Sequence, residues 1–199
     1  MFNKVAILID GGFYLKLYRK REQRMPRRED VESLVTDILA KVNHLNHTGT
    51  KDILYRTYFY HCKPFGERVT KPSGEEINFE ATKEYRSNQR FLNQLIYVPQ
   101  LALRLGELSF DGWREETNEH GKTATQPIFK QKMVDMKIGL DIAWIASKRL
   151  VDKIVIVTAD SDFVAPMKFA RKEGVIVYLE PLGFAQLKRI LREHADFVL

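Results

Sequence analysis

The sequence predicts an α/β fold in which helices cover both faces of a mainly parallel sheet. Continuous apolar, β-branched runs at Lys4–Ile9 and Ile154–Val157 indicate strands that are buried on both sides. Further strand patterns alternate with helical patterns along the chain, which favours parallel strands joined by right-handed crossovers. We therefore expect a three-layer α/β/α sandwich with a less regular inserted α+β subregion.

The first 60 residues contain the patterns of two strands separated by two helices. The first strand ends before Gly11-Gly12, where glycine permits a tight turn or the close approach of a ligand to the backbone. Apolar residues at helical spacing predict helices over Phe13–Arg21 and Glu29–Leu45. The segment Lys51–Tyr60 predicts the second strand because it is rich in aromatic and β-branched residues.

The inserted subregion is expected at about residues 61–130. Two prolines and two glycines among charged residues predict a mobile loop over Lys63–Asn78. A helix is predicted over Phe79–Leu95, and alternating leucines predict a strand over Leu101–Leu105. A β-hairpin is predicted within Asp111–Phe129, with its turn at residues 118–121.

The last third returns to alternating helices and strands. Helices are predicted over Gln131–Arg149, Phe163–Lys172 and Phe184–Arg192, the second capped by Ser161 or Asp162. A buried strand is predicted over residues 175–179, and the terminal DFVL is a candidate edge strand. Because no repeat or low-complexity tract interrupts this order, we expect one domain over residues 1–199.

Composition limits the class of protein. Of the 199 residues, 44% are apolar and 29% are charged, which is ordinary for a soluble globular domain. No apolar run approaches the roughly 18 residues that cross a bilayer, and we expect neither a membrane partner nor a signal peptide. Cys62 is alone, which excludes an internal disulfide and suits the cytoplasm. The formal charge of +6 favours a polyanionic partner. The oligomeric state stays open, with a homodimer possible.

Acidic residues follow the two most strongly predicted strands. Asp10 ends the first strand, and Asp160 and Asp162 follow the strand that ends at Val157. Parallel strands end at the same edge of a sheet, so we expect these two strands to be neighbours and their acids to converge. Asp135, in the first turn of a predicted helix, is placed to face the same point. Such mutually repelling carboxylates are tolerated around a divalent cation, and oxygen ligands favour Mg²⁺ or Mn²⁺.

Each acid also has a purely structural interpretation. Asp10 before two glycines is a candidate turn residue, and Asp135 in a first turn complements the helix dipole. Asp141 lies six positions after Asp135, about 120° away around a helix, on a stripe of apolar residues. It is therefore interpreted as a buried hydrogen-bonding acid or as a group that supports the metal ligands. Ser161, between two of the acids, is a second candidate for that supporting role.

Three stretches of sequence together resemble the NYN domain family, PIN-like metal-dependent ribonucleases that include the LabA-type bacterial proteins. These stretches are VAILIDGG, KQKMVDMKIGLDIAWIA and IVIVTADSDFVAPMKFARKEGVIV. The resemblance spans Lys4 to Leu179 in outline and is strongest from Gln131 to Val177. It implies a PIN-like fold with an acid after the first strand, an acid at the start of a K-x-V-D helix, and an S-G-D-S-D-F turn. Phe13 departs from this pattern, since the family usually has Asn there, and Thr158-Ala159 replaces Ser-Gly.

The resemblance implies hydrolysis of RNA phosphodiester bonds. Asp10, Asp135 and Asp160 would hold one or two Mg²⁺ or Mn²⁺ ions, and Asp162 would be a further ligand or would orient metal-bound water. The products would carry 5′-phosphate and 3′-hydroxyl ends. Lys132, one turn before Asp135, is a candidate contact to the scissile phosphate, or else a solvated lysine at the start of a helix.

A basic run follows the first acidic turn. Between Lys16 and Arg28 the chain has seven basic residues and one acid. Because this run lies close to Asp10 in sequence, Arg19, Arg24 and Arg28 are candidates for guiding an RNA backbone towards the acids. The alternative interpretation is a solvated charged surface.

Two other functions fit parts of the pattern. The first is a non-catalytic RNA-binding or regulatory NYN module, which Phe13 and the large middle region favour. The second is a phosphotransfer domain of the receiver or haloacid-phosphatase type. A receiver needs a lysine at a strand end where Pro181 and Leu182 stand here, and the phosphatase needs a second aspartate where Gly12 stands. The ribonuclease interpretation therefore takes precedence.

Overall fold

The computed structural model describes residues 2–46, 49–117 and 123–199, and it has the predicted α/β architecture. The strands in these ranges are β1 Phe2–Asp10, β2 Lys51–Cys62, β3 Arg68–Thr70, β4 Glu76–Asn78, β5 Leu101–Thr117, β6 Thr123–Lys132, β7 Lys153–Val157, β8 Ile176–Glu180 and β9 Phe197–Val198. The helices are α1 Gly11–Glu22, α2 Arg28–His44, α3 Lys83–Leu95, α4 Val134–Ser147, α5 Val164–Lys172 and α6 Arg189–His194, with short 3₁₀ turns at Phe79–Ala81 and Ser161–Phe163. Among the described residues, no helix combines the length and the apolar character that crossing a membrane requires.

The central sheet has seven strands in the order β6-β5-β2-β1-β7-β8-β9. All neighbouring pairs run parallel except β5 and β6, which are antiparallel. The strand that ends at Asp10 therefore lies directly beside the strand that ends at Val157, and Ile9 pairs with Val157. The prediction that these two strands are neighbours is confirmed.

Helices cover the sheet on both faces, which produces the three predicted layers. The five residues Val5–Ile9 of β1 are completely buried and point alternately into two cores. One core joins Val5, Ile7 and Ile9 to α1, α2 and α3. The other joins Ala6 and Leu8 to α4, α5 and α6. Burial from both sides explains why β1 is continuously apolar.

The middle region differs from its predicted outline. The segment expected to be a loop contains the antiparallel pair β3–β4. The predicted hairpin is confirmed as β5 and β6, whose paired part extends well beyond the expected limits. Its expected turn at residues 118–121 lies outside the described residues. An aromatic cluster packs β3–β4 and the following turn against this hairpin; its members are Phe65, Phe79, Phe110, Trp113 and Phe129.

Three helices begin later than predicted. The helix predicted from Phe79 begins at Lys83, after the 3₁₀ turn Phe79–Ala81. Gln131 and Lys132 belong to β6, because their backbones pair with Leu108 and Glu107 of β5, and α4 begins only at Val134. The helix predicted over residues 184–192 instead runs from Arg189 to His194. At Gln131 and Lys132 a pairing partner distant in sequence determines the conformation, and local periodicity does not report such partners.

Candidate active site

Two of the predicted acids meet where β1 and β7 end. The Thr158 hydroxyl links them, because its Oγ1 donates to Asp10 Oδ2 at 3.4 Å and accepts from the backbone N of Asp160 at 3.1 Å. Thr158 is completely buried, whereas Asp10 is half-buried and Asp160 is exposed. Thr158 thus holds the Asp10 carboxylate and the Asp160 backbone.

Asp10 and Asp160 also begin helical segments. Asp10 Oδ1 accepts from the backbone N of Phe13 at 3.1 Å and caps α1. Asp160 Oδ1 accepts from the backbone N of Asp162 at 3.0 Å and caps the 3₁₀ turn that precedes α5. The prediction that Ser161 or Asp162 caps the following helix was wrong, because α5 begins after Phe163 without a side-chain cap. These hydrogen bonds hold the two carboxylates in fixed orientations.

Asp135 lies near enough to Asp10, Asp160 and Asp162 for their charges to interact. It lies in the first turn of α4, which starts directly after Met133, a residue with a left-handed φ of 69°. Gly106 of β5 permits this abrupt start, since a Cβ there would lie 2.4 Å from the carbonyl oxygen of Lys132. The tight junction between β6 and α4 therefore determines where Asp135 stands.

The pKa values of Asp10 and Asp135 are raised, and nearby acids contribute to both shifts. Burial is the main cause that raises the pKa of Asp10, and Asp135 and Asp160 raise it further, against hydrogen bonds from the Phe13 and Gly12 backbone that lower it. The pKa of Asp135 is raised by burial and then by Asp160 and Asp162. As the side chains stand, no three His, Cys, Asp or Glu residues in the described ranges are close enough to hold a metal ion.

A cavity of about 510 Å³ opens beside Asp10 and Asp160 and combines acidic, basic and aromatic walls. Lys16 of α1 and Lys188, just before α6, also line it, and Lys188 Nζ donates to Ser161 Oγ at 2.9 Å. At the same cavity the rings of Phe13 and Phe184 meet edge to face, with centroids 6.1 Å apart. We define this as the carboxylate cavity.

Sequence reasoning missed Lys188 and Phe184. Both follow β8, whose carboxyl end shares the edge of the sheet with β1 and β7. Inspection of every loop at that edge, including loops without acids, would have found them.

Two other predicted site residues stand apart from the four acids. Asp141 accepts hydrogen bonds from Tyr60 Oη at 2.8 Å and Arg104 Nε at 3.0 Å, as the hydrogen-bonding interpretation of this residue required. Lys132 is the last residue of β6, so its predicted position one helical turn before Asp135 was wrong.

The arginines of the basic run are largely engaged with protein groups. Arg24 makes two 2.8 Å hydrogen bonds to Asp30, and Arg28 lies 3.1 Å from Glu32. Arg19 donates to Asn88 Oδ1 and to the Met25 sulfur. Of the seven basic residues between Lys16 and Arg28, Lys16 is the one that lines the carboxylate cavity.

Comparison with known proteins adds a family and a fold. The family model described as NYN domain matches residues 65–197, a range that contains Asp135, Asp160 and Asp162 and begins after Asp10. A crystal structure of a protein of unknown function from Vibrio parahaemolyticus superposes with a TM-score of 0.53 at 14% identity. That alignment covers 100% of this chain and 92% of the other, and at this identity it shows a shared fold. No curated protein matches the chain.

Proposed function

The chain belongs to the NYN domain family, whose members are generally nucleases, and on that basis we propose that it is a metal-dependent endoribonuclease that hydrolyses RNA phosphodiester bonds. The observation that supports the proposal is that Asp10 and Asp160 are joined through Thr158 at one edge of the sheet, where nearby acids add to the burial that raises the pKa of Asp10 and of Asp135. An acidic group of this kind is the usual setting for divalent-metal chemistry on phosphates.

The donor chemistry of these residues fits Mg²⁺ or Mn²⁺. Carboxylate oxygens are the hard ligands that both ions favour, and the pKa values of Asp10 and Asp135 are raised first by burial and then by their acidic neighbours. A cation among them would relieve that repulsion. Asp10, Asp135 and Asp160 would hold it, with Asp162 as a further ligand or as a group that orients water. When bound, the metal would activate water and stabilise charge on the leaving oxygen.

The protein's own side chains would orient the acids and the RNA. Thr158 holds one oxygen of Asp10, and the Phe13 backbone holds the other, so this carboxylate is positioned before any ligand arrives. Lys16 and Lys188 line the same cavity and are proposed to contact RNA phosphates. Arg19, Arg24 and Arg28 remain weaker candidates, because two of them already pair with acids. Cleavage would leave 5′-phosphate and 3′-hydroxyl ends.

A non-catalytic RNA-binding module is the second candidate. Phe13 stands where the family usually has Asn, and its ring packs against Phe184 at the carboxylate cavity instead of adding a polar group beside Asp10. An apolar pair at this point favours binding of a nucleotide over assistance to the metal ligands.

Cleavage of single-stranded RNA in Mn²⁺ distinguishes the two candidates. We expect the wild-type protein to cleave, and Asp160→Asn to lower the rate by more than roughly 100-fold, because loss of a ligand should exceed the loss seen for groups behind the ligands. Asp37→Asn, an exposed aspartate on α2, is the matched control and should cleave like wild type. Binding without cleavage by the wild-type protein would favour the non-catalytic module. Equal cleavage by wild type and Asp160→Asn would exclude this site.

A further inference from the structure

We propose that a second cavity, adjoining the carboxylate cavity, binds one nucleobase of the RNA, an inference that rests on the proposed function. This base cavity lies between α1 and the middle region and has a volume of about 590 Å³. Sites for small ligands typically measure about 300–1,000 Å³, so a base and part of its sugar fit within it.

Aromatic rings form one wall of the base cavity. Phe65, Phe79 and Phe129 line it, and each ring centroid lies 5.3–5.5 Å from the other two. All three side chains are only half-buried, and they lie outside the two main cores. Mutual packing holds the rings in place, so an entering base would find a stacking surface that needs no rearrangement.

Polar groups in the same cavity can contact a base edge. His61 lines it, and its Nδ1 is buried without a hydrogen-bond partner in the described part of the chain. Burial and the nearby Arg19 lower the pKa of His61 to about 4, so at neutral pH its ring is uncharged and offers one donor and one acceptor. The amide of Gln131 also lines the cavity. The uncharged His61 ring and the Gln131 amide are the polar side chains proposed to contact the base edge.

The two cavities adjoin at α1. Gly12 and Lys16 line both of them. The side chain of Gln131 would lie 3.4 Å from a Cβ on Gly12, so it stands beside this boundary. A nucleotide chain is a ligand that can place a phosphate in one cavity and a flat ring in the other. Lys16 and Arg19 add positive charge along this path.

The test measures binding of short RNA, with Asp160→Asn as the parent protein so that cleavage does not interfere. The probes are fluorescein-labelled, mixed-sequence pentanucleotides, one intact and five with a single abasic nucleotide at successive positions, and anisotropy reports their affinity. We expect an abasic nucleotide at one position to weaken binding about tenfold, the usual scale for loss of one stacked base.

A cavity-filling variant assigns that loss to the base cavity. Leu108 lines the cavity, and Leu108→Trp in the parent protein should bind the intact RNA about tenfold more weakly, with no further loss at the sensitive position. Ile96→Trp, at a 62% exposed position after α3, is the matched control and should behave like the parent. His61→Phe is a second variant, which removes the polar contact, and it provides the test if Leu108→Trp does not fold. It should reduce the loss of affinity caused by the abasic nucleotide.

Equal affinity for all abasic RNAs, or an undiminished abasic effect in both Leu108→Trp and His61→Phe, would overturn the base cavity. This result is distinguishable from failure of the ribonuclease proposal, which depends on cleavage by the wild-type protein. Cleavage by the wild-type protein together with equal affinities for all abasic RNAs would refute the base cavity and leave the ribonuclease proposal standing. A position-specific abasic effect without cleavage would support the base cavity on an RNA-binding protein.

Discussion

Aspartates at the two ends of the parallel strands lie under opposite electrostatic conditions. At the amino end, Asp52 of β2 lies 2.9 Å from Lys153 Nζ of β7, with the two residues 1% and 4% exposed. At the carboxyl end, the charged neighbours that shift the pKa of Asp10 and Asp135 are other acids. The same residue type is thus neutralised at one end of the sheet and repelled by like charges at the other.

The amino end contains every partner that its buried charge requires. Besides Lys153, Asp52 accepts from Asn3 Nδ2 at 2.9 Å and from Asn46 Nδ2 at 2.8 Å. Its backbone N donates to Asn43 Oδ1 at 2.9 Å. A buried charge with its partners in place belongs to the folded structure. At the other end the charged neighbours that shift the pKa of Asp10 and Asp135 are acids, and this contrast supports the metal site proposed at the carboxyl end.

The largest expected effect comes from breaking the pair at the amino end. Lys153→Met leaves Asp52 charged and buried without its cation, and it should lower the free energy of unfolding by about 3–5 kcal/mol in urea denaturation. Lys148→Met, at an exposed lysine after α4, should change it by less than about 0.5 kcal/mol. Asp160→Asn should not destabilise the metal-free protein. Comparable losses in Lys153→Met and Asp160→Asn would remove the contrast between the two ends.

A second prediction concerns pH at the carboxyl end. The folded-state pKa of Asp10 is raised above 3.8, so the stability contributed by its proton is present below that pH and is lost as pH rises through the folded-state pKa. The free energy of unfolding of metal-free Asp10→Asn, minus that of wild type, should therefore increase over this range. Asparagine retains the acceptor that caps α1, so the substitution removes charge with little other change.

Mn²⁺ should restore the stability that the wild-type protein loses as the pH rises through the folded-state pKa of Asp10. At pH 7, Mn²⁺ at 100 times its Kd should add about 2.7 kcal/mol to the free energy of unfolding, and near pH 4 it should add less, because protonated carboxyls are poor ligands. Thermal melts across pH, with and without Mn²⁺, measure both effects, and Asp37→Asn is the control. A difference between Asp10→Asn and wild type that does not change with pH would show that the pKa of Asp10 is not raised in the folded protein.

The smallest expected effect concerns the positive charges near the acids. Lys16→Gln and Lys188→Gln should each weaken RNA binding several-fold and reduce the slope of log affinity against log salt by about one, the value for one lost phosphate contact. Arg24→Gln should change the slope less, because Arg24 is paired with Asp30. Anisotropy titrations at several salt concentrations measure this slope. A larger change for Arg24→Gln would assign RNA guidance to the basic run as the sequence first suggested.

Much of the fold was predictable because the information is local. The strands β1 and β7 are buried from both sides, and each therefore appears in the sequence as an unbroken apolar run. The parallel arrangement then requires the acids after both strands to lie at one edge, as Asp10 and Asp160 do. The middle region resisted prediction, since its small sheet and aromatic cluster form between segments that are each irregular when taken alone.

The sequence by itself determined the layered α/β fold, the edge of the sheet where acids gather, and the family to which the chain belongs. Only the tertiary structure decided which groups are neighbours there: Thr158 between two acids, Lys188 and Phe184 at the carboxylate cavity, and Lys132 in a strand. It also decided that Arg24 is paired with Asp30, while Lys16 faces the carboxylate cavity. The physical reason is range: burial and periodicity are properties of a short segment, whereas a side chain's charge partners come from segments that only folding brings together.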